Sequence, residues 1–335
     1  MKYKMQRNWK LHVMTLGALL MAITYASLRM HFNYRYGITT TMQMLDFTAL
    51  RPFVMRLLLP SLIWPIRHFL AVTPKTIFFV TEALSALLLL SVLYRLFRHW
   101  LTIRSAYCAS LGFFCLLPCM FVWVYNYYPY FFLYDTPAML FTALGLLLVC
   151  EERWLACLMC MVLATLNRES AILIPFLIPA VYGWQATLEK YYQPFFALLI
   201  IYFLLRLGLI YLFINQIGYV MWFVKQLPSG EIVVRAFNNI GWLVHEYGWL
   251  KFWQYCALLP VGYIYVKRYV PSALTKLVWV AACYFMGLCL VGNLYEPRIL
   301  AEIYILLYVP TIIGLIQRFN DYQYSLPHYT GSLKD

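Results

Sequence analysis

About ten apolar segments, most of them close to the length of a membrane span, follow one another along this chain. They lie at about residues 11–28, 76–94, 105–124, 138–150, 154–166, 170–186, 193–214, 247–266, 273–291 and 299–317. A helix that crosses the hydrocarbon core needs about 20 residues. Segments 138–150 and 154–166 are shorter, so they either extend into neighbouring residues or enter the membrane only partway. The pattern predicts an all-α fold, a polytopic transmembrane helical bundle of about ten spans.

The composition points to the bilayer as the solvent. Hydrophobic residues make up 64% of the 335 residues, charged residues only 12%, and the mean hydropathy is +0.71. Two soluble domains would have a lower apolar content. We therefore predict a single integral membrane domain over residues 1–320, followed by a cytoplasmic tail at 321–335. The net charge of +13 favours contact with anionic membrane lipids. Because this charge is spread between apolar segments, it argues against nucleic-acid binding.

Basic clusters indicate the orientation. The N-terminal sequence MKYKMQRNWK is basic, and no small-residue cleavage site follows the first apolar segment, which predicts an uncleaved first helix. Counting alternate crossings puts the clusters at 1–10, 95–104 and 267–276 on one side, and positively charged loops are typically cytoplasmic. Both termini are then cytoplasmic. In the alternative, 154–184 is one long helix, and every later segment reverses its direction.

The first outer segment, 29–75, is long yet mostly apolar. Its longest run without charge, 57–66, is too short to span a membrane and contains Pro60 and Pro65. This pattern predicts interfacial helices that lie along the outer surface. Arg56 is one of the arginines of this segment that can face polar groups.

Four short polar motifs fall on the predicted outer side, namely LDF at 45–47, YDTP at 134–137, NRES at 167–170 and YEPR at 295–298. Ionisable residues at or within a membrane are costly, so they are functional candidates by default. Asp46 of LDF is either a helix-cap or loop carboxylate or the general base for an acceptor hydroxyl. Asp135 of YDTP either belongs to a helix start, with Thr136 as N-cap and Pro137 in the first turn, or is a second carboxylate in the same cavity.

The other two motifs pair an arginine with an acid. Adjacent helical residues point about 100° apart, so Arg168 and Glu169 are expected to reach different partners. The planar guanidinium of Arg168 suits a phosphate group. Glu296 and Arg298 either start the last helix, with Arg298 pairing to Glu302 four residues later, or bind substrate. A merely structural Glu302 would be costly one turn inside the membrane.

With these motifs, the layout resembles the GT-C class of integral membrane glycosyltransferases. The resemblance rests on Asp46 in a long first outer loop, Asp135 in the next one, and the NRES and YEPRIL motifs, and it covers roughly residues 11–317. It implies a polyprenyl-phosphate-linked sugar as donor, a lipid or glycan acceptor on the outer face, and Asp46 as the base. It also implies the bacterial inner (plasma) membrane as the location.

The resemblance further implies catalytic roles for Asp46 and Asp135, and substrate binding by a set made up of Arg56, Arg168, Glu169, Glu296 and Arg298. The first outer loop lacks a paired acidic motif, so dependence on a divalent cation stays open. The nine cysteines all lie in apolar runs, and Cys157-x-x-Cys160 has no second pair, which excludes a zinc site of the usual spacing.

Two other functions remain open from the sequence. A transporter or flippase for a lipid-linked or anionic solute would also need buried arginines and acids. Such proteins often contain repeats around a site at the membrane centre, whereas this chain has no clear repeat and its motifs lie at the ends of segments. A polysaccharide polymerase would share the substrate class of the transferase.

Overall fold

The computed structural model describes residues 2–33, 40–70, 72–121, 132–216, 224–226, 232–245, 248–294 and 296–325, which form a bundle of helices. In chain order these are α1 (Lys2–Phe32), α2 (Thr41–Leu45), α3 (Leu58–Phe69), α4 (Pro74–Phe97), α5 (Ile103–Leu116), α6 (Pro118–Phe121), α7 (Asp135–Cys150), α8 (Trp154–Asn167), α9 (Leu173–Tyr182), α10 (Trp184–Glu189), α11 (Tyr192–Leu212), α12 (Arg235–His245), α13 (Gly248–Tyr255), α14 (Leu259–Val266), α15 (Ser272–Thr275), α16 (Leu277–Val291) and α17 (Ala301–Ser325). Short 3-10 helices lie at Phe53–Met55, Glu169–Ile172, Lys267–Tyr269 and Pro297–Leu300, and an antiparallel pair of strands is formed by β1 (Val224–Gln226) and β2 (Ile232–Val234).

Six helical segments of the described chain are long and apolar enough to cross a membrane. They are His12–Phe32, Pro74–Phe97, Ile103–Phe121, Tyr192–Leu212, Ser272–Val291 and Pro297–Asp321. Over the described residues, the ten predicted segments lie mainly on helices, which confirms the helical class of fold and agrees with a membrane protein. Asp135–Cys150, Trp154–Asn167 and Glu169–Tyr182 are shorter, however. The predicted segment 247–266 forms two eight-residue helices, because the backbone turns at Ala257 and Leu258. Helix length therefore supports six crossings, and the count of ten is not established.

Local sequence explains where several helices begin. Thr73 accepts a hydrogen bond from the backbone of Thr76, and Pro74 occupies the first turn of α4. Thr40 and Gln43 form a capping box at the start of α2. α3 forms in spite of its internal Pro65, and it buries Leu58 and Ile63 while Trp64 and Phe69 on other faces are exposed. This exposure of large apolar side chains agrees with the predicted interfacial helix.

The outer surface of the bundle is apolar. On α11, Phe203, Leu204 and Leu207 are exposed, and on α4 the same holds for Leu84 and Leu88. A soluble protein rarely exposes so much contiguous apolar area. α17 is different, because 83% of the most apolar stretch of the segment Pro297–Asp321 is buried inside the protein. α17 is therefore a central helix, whereas α11 presents one side to lipid.

The chain reverses direction twice across α7, α8 and α9. The end of α8 reaches the start of α7, where the Asn167 amide donates to the backbone carbonyl of Tyr134 at 3.1 Å. The end of α9 reaches the other end of α7, where the Tyr182 hydroxyl donates to the carbonyl of Val149 at 2.8 Å. Arg168 has an extended backbone (φ −162°) between the two helices. The alternative of one long helix over 154–184 is therefore wrong.

α17 continues to Ser325, and residues 326–335 of the predicted tail lie outside the described residues. Tyr295 of the YEPR motif lies outside them as well. In the second long connection, α12 packs on α16, and Asn239 donates to the carbonyl oxygens of Cys289 and Gly292. This contact closes one end of the bundle, next to the EPR residues 296–298.

Candidate functional site

The YDTP motif begins α7 deep inside the protein. The helix starts at Asp135, with Tyr134 as its N-cap residue, so the predicted capping role of Thr136 is wrong. The Thr136 hydroxyl instead donates to Glu82 Oε2 at 2.5 Å and contacts the Tyr25 hydroxyl at 3.2 Å. Asp135, Thr136 and Glu82 are all fully buried. Burial of this many polar groups is stable only when they satisfy one another, so α7 begins within a polar cluster.

Three arginines converge on Asp135. Its carboxylate lies 3.6 Å from Arg29 Nη2, 3.7 Å from Arg168 Nη1 and 3.8 Å from Arg298 Nη1. These arginines come from α1, from the residue after α8 and from the 3-10 helix before α17. The distances are longer than hydrogen bonds, and neither Asp135 oxygen has a hydrogen-bond partner within the described chain. The guanidinium groups therefore surround Asp135 without being fully engaged by it.

Five buried side chains form a row in which acids and arginines alternate. The row runs Glu82, Arg29, Asp135, Arg168, Glu302, and its members are drawn from α4, α1, α7, the end of α8 and α17. The successive nitrogen–oxygen distances are 3.4, 3.6, 3.7 and 3.5 Å. We call this row the alternating chain. Each arginine lies between two carboxylates, which offsets much of the cost of burying the charges.

Arg298 has a partner of its own outside the alternating chain. Its Nη2 lies 2.6 Å from Glu296 Oε2, and its Nε donates to the same oxygen at 2.8 Å. Burial by itself raises the pKa of Glu296, but the Arg298 charge and hydrogen bonds from Asn293 and Arg298 outweigh it and lower the pKa below its ordinary value. Arg298 thus pairs with Glu296, and Glu302 pairs with Arg168 instead of with Arg298, the residue four positions before it.

Arg56 and Glu169 connect the first outer segment to the network, by which we mean the buried acids and arginines around Asp135. Arg56 binds Glu169 with two hydrogen bonds, of 2.7 and 3.3 Å. As predicted, Arg168 and Glu169 reach different partners, because Arg168 turns toward Asp135 and Glu302. The Glu169 side chain is 31% exposed, whereas Arg56 is only 6% exposed. The network is therefore open to its surroundings at Glu169.

Aromatic rings separate the arginines. The guanidinium of Arg56 lies 3.9 Å from the centre of the Tyr134 ring, and that of Arg298 lies 4.1 Å from the centre of the Phe132 ring. The two rings stack on each other at 5.2 Å. Burial raises the pKa of Tyr134 to about 12, so its hydroxyl is neutral and accepts a hydrogen bond from Arg298. Cation–π contacts keep the arginines in place without consuming their outer N–H groups.

Asp46 lies at the exposed end of α2. It is the C-cap residue of that helix, its side chain is 44% exposed, and Arg67 of α3 donates to it at 2.6 Å. Arg67 belongs to the same segment, 29–75, as Asp46. The structure brings together Asp135, Arg168 and Arg298, with Arg56, Glu169 and Glu296 at the edge of the cluster, while Asp46 stands apart as an accessible carboxylate.

Arg29 and Glu82 are central to the network, although neither belongs to the four polar motifs of the sequence. A signal was present, because Glu82 interrupts the apolar stretch 76–94 and Arg29 follows the first apolar segment. Charges within a membrane are functional candidates even when they stand alone, and this rule points to both Arg29 and Glu82.

The residues around Asp135 do not favour a metal ion. Its neighbours are guanidinium groups, which repel a cation, and the described residues include no group of three His, Cys, Asp or Glu side chains suited to a metal. The same surroundings suit an anion with several oxygen atoms, such as a phosphate, which accepts bidentate hydrogen bonds from arginine.

Comparison of the chain with protein-family models, with curated proteins and with solved structures found no match in any of the three. The chemistry of the site is therefore the basis for a functional proposal.

Proposed function

We propose that this protein is a membrane glycosyltransferase that moves a sugar from a polyprenyl-phosphate-linked donor to a lipid or glycan acceptor. The observation that carries the proposal is the convergence of Arg168 and Arg298, from separate parts of the chain, on one end of an apolar helical bundle. A lipid-linked sugar phosphate has an apolar tail and an anionic head. It therefore matches a protein whose sides face lipid and whose end carries arginines.

Binding of the donor phosphate is assigned to Arg56, Arg168 and Arg298. Arg56 reaches the open edge at Glu169, and Arg298 is nearly buried beside Tyr134. A phosphate entering there would compete with Glu169 and Glu296 for the arginines, and it would add charge-assisted hydrogen bonds. The acids keep the empty site close to neutral, since they compensate the arginines when no ligand is bound.

In the transfer step, the bond between the anomeric carbon and the phosphate oxygen breaks, and the acceptor oxygen forms the new bond to that carbon. The phosphate leaves with the electron pair, and a carboxylate takes the proton of the acceptor hydroxyl. We assign this role to Asp46, because it is exposed enough to reach an acceptor. Asp135 is buried and holds the arginines in position. Arginine charge at the leaving phosphate would supply much of the rate enhancement.

The proposed topology has ten crossings, with both termini in the cytoplasm, the interfacial helix α3 at the outer surface and the site on the outer face of the bacterial inner membrane. The reversals at Asn167 and Tyr182 support the direction of the three short helices. At the opposite end of α7, Arg95 and Arg153 lie beside Glu151. This basic end agrees with a cytoplasmic side.

One observation favours a second function, a transporter or flippase for a lipid-linked or anionic solute. The alternating chain is fully enclosed at Glu82, Arg29, Asp135 and Glu302. Buried acids and arginines in contact are typical of proton and ion pathways in transporters. A transferase requires turnover of the sugar donor, and a transporter does not, so an activity assay distinguishes the two.

The test replaces the arginines by lysine, which keeps the charge and removes the planar fork. Arg168→Lys and Arg298→Lys should each weaken binding of radiolabelled polyprenyl phosphate about tenfold or more. The expectation follows because a charge-assisted hydrogen bond contributes about 1.5–3 kcal/mol, and about 1.4 kcal/mol is a factor of ten. Arg153→Lys, which is exposed at the other end of the bundle, is the matched control. If both site variants bind like the control, the arginines are structural, and the proposal fails.

A further inference from the structure

Helix α12 presents apolar side chains to its surroundings and a polar side chain to the protein. Phe237, Ile240 and Val244 are 72%, 57% and 65% exposed, whereas Asn239 and Trp242 are buried. Helical residues three or four positions apart lie on one face, so the exposed residues form a single row, which we call the apolar stripe of α12. A helix on the surface of a soluble protein turns its polar side outward. α12 does the reverse, so its outer face is not suited to contact with water.

The inner face of α12 is fixed to the end of α16 by Asn239. Its amide nitrogen donates to the carbonyl oxygens of Cys289 and Gly292, both at 2.9 Å, and its oxygen accepts a hydrogen bond from the backbone N–H of Leu294 at 3.1 Å. Carbonyl groups in the last turn of a helix have no partner within that helix. One polar side chain thus satisfies the end of α16, and the apolar stripe cannot rotate inward without breaking these bonds.

α12 lies where a membrane-length segment ends. α16 forms most of the segment Ser272–Val291, which is long and apolar enough to cross a membrane. Met286 and Leu290, in the last two turns of α16, are exposed, and so are Trp249 and Leu250 at the start of α13. Because α12 packs against both α16 and α13, its stripe belongs to a larger set of exposed apolar side chains at this end of the bundle.

We propose that α12 is an interfacial helix whose apolar stripe lies among the acyl chains of the membrane leaflet on the side of the Asp135 site. A helix of this kind lies in the plane of the interface and buries its apolar face about 5–10 Å deep. Lipid is the partner that the structure favours, because the stripe contains no charged group and adjoins the end of a membrane-length helix whose own exposed side chains are apolar.

A row of hydrogen bonds connects α12 to the EPR residues 296–298. Arg235, the first residue of α12, donates to the Asn293 side-chain oxygen at 2.7 Å, and the Asn293 amide donates to Glu296 Oε1 at 2.9 Å. Glu296 Oε2 in turn accepts a hydrogen bond from Arg298 at 2.8 Å. Contact of α12 with lipid would therefore help to hold Arg298 in place. The inference does not depend on the proposed function, since α12 would lie on the membrane in the same way in a transferase and in a transporter.

The test is photolabelling of the wild-type protein in lipid vesicles. The vesicles consist of phosphatidylethanolamine and phosphatidylglycerol with a small fraction of phosphatidylcholine that carries a diazirine on one acyl chain. Illumination releases nitrogen from the diazirine, the resulting carbene inserts into bonds of nearby side chains, and mass spectrometry of the peptides locates the label. We expect label on Phe237, Ile240 and Val244 at a yield close to that on Phe203 and Leu204, which are exposed on α11.

Gln43 is the matched negative control, because it is an exposed polar residue of α2 at the same end of the bundle, where Met44 packs with Tyr134. If α11 is labelled but the stripe is labelled no more than Gln43, then water or protein covers the stripe, and the proposal is overturned. Label on Asn239 and Trp242 instead of the stripe would show that α12 faces the other way, which overturns it as well. The measurement uses the wild type, so no variant has to fold.

Discussion

Asp46 and Asp135, the acids of two successive outer motifs, lie in opposite environments. Asp46 is 44% exposed and binds one arginine of its own segment, whereas Asp135 is fully buried among three arginines from distant segments. A general base must reach the proton that it removes, which only the exposed residue can do without rearrangement. A buried acid among guanidinium groups is suited to positioning them. In the proposed transferase, the roles of base and anchor are therefore divided between the two residues.

Asp46→Asn should abolish sugar transfer while the protein remains folded in the membrane. Asparagine cannot take a proton, and loss of the partly exposed pair with Arg67 costs less than about 1 kcal/mol. The matched control is Arg67→Gln, which breaks the same ion pair but keeps the carboxylate. Initial rates of transfer with purified protein check the prediction. Equal activity of the two variants would mean that Asp46 has no role beyond the ion pair.

Individual helices are connected by polar contacts at one end of the bundle. Glu82 of α4 contacts Arg29 of α1 and accepts a hydrogen bond from Thr136 of α7, so a single carboxylate joins three helices. The break at Arg168 has a comparable effect, because the extended backbone lets α8 end beside Tyr134 and lets the side chain enter the network. In lipid there is little hydrophobic drive between helices, so such polar contacts and close packing hold the elements together.

Glu82→Ala should destabilise the protein strongly. It leaves Arg29 buried with one of its two acids missing, and removal of one partner from a buried ion pair typically costs about 3–5 kcal/mol. The measurement is the midpoint of thermal unfolding in detergent, with loss of monodisperse protein as the readout. Glu189→Ala serves as the control, since Glu189 is exposed on α10 and accepts a hydrogen bond from Gln185 of the same helix. A midpoint for Glu82→Ala equal to that of the control would contradict the prediction.

The whole molecule combines long and short helices, and both kinds contribute to its interior, because α17 is long and central while α7 is short and buried. Six segments have membrane length, while α7 and α8, of 16 and 14 residues, carry much of the buried core and the site. The charges around Asp135 are buried inside the protein, in a place where lipid is excluded and polar groups find partners. Irregular backbone at membrane depth is tolerated only in such a protected place. The break at Arg168, a buried residue, fits this rule.

The topology of the molecule is open to a direct test. Reporter fusions after residues 100, 270 and 335 should all report a cytoplasmic location, because the basic clusters agree on this side. Fusions after residues 70 and 216 should report export. Gln216 binds the carbonyl of Ala49, so these two positions belong to segments that meet at one end of the bundle. An exported C-terminus would rule out ten crossings with a cytoplasmic N-terminus.

The sequence by itself determined the class of fold and the approximate helix positions. In a bilayer the backbone must satisfy its hydrogen bonds within each segment, so an apolar run such as 193–214 can become only a helix. Short-range features such as Thr73-Pro74 also fix where a helix begins. Thr136 does not cap its helix as the sequence predicts, because its hydroxyl donates to Glu82, a buried carboxylate on another helix.

Only the tertiary structure decided which charges meet. Arg29 and Glu82 are 53 residues apart, and Arg168 and Glu302 lie on segments that no local pattern relates. Their contacts depend on how the helices rotate and pack, which places one face of each helix toward the others. Spacing along the chain predicts that Arg168 and Glu169 have separate partners. The identity of those partners depends on packing, because a buried charge can pair only with the groups that neighbouring helices place beside it.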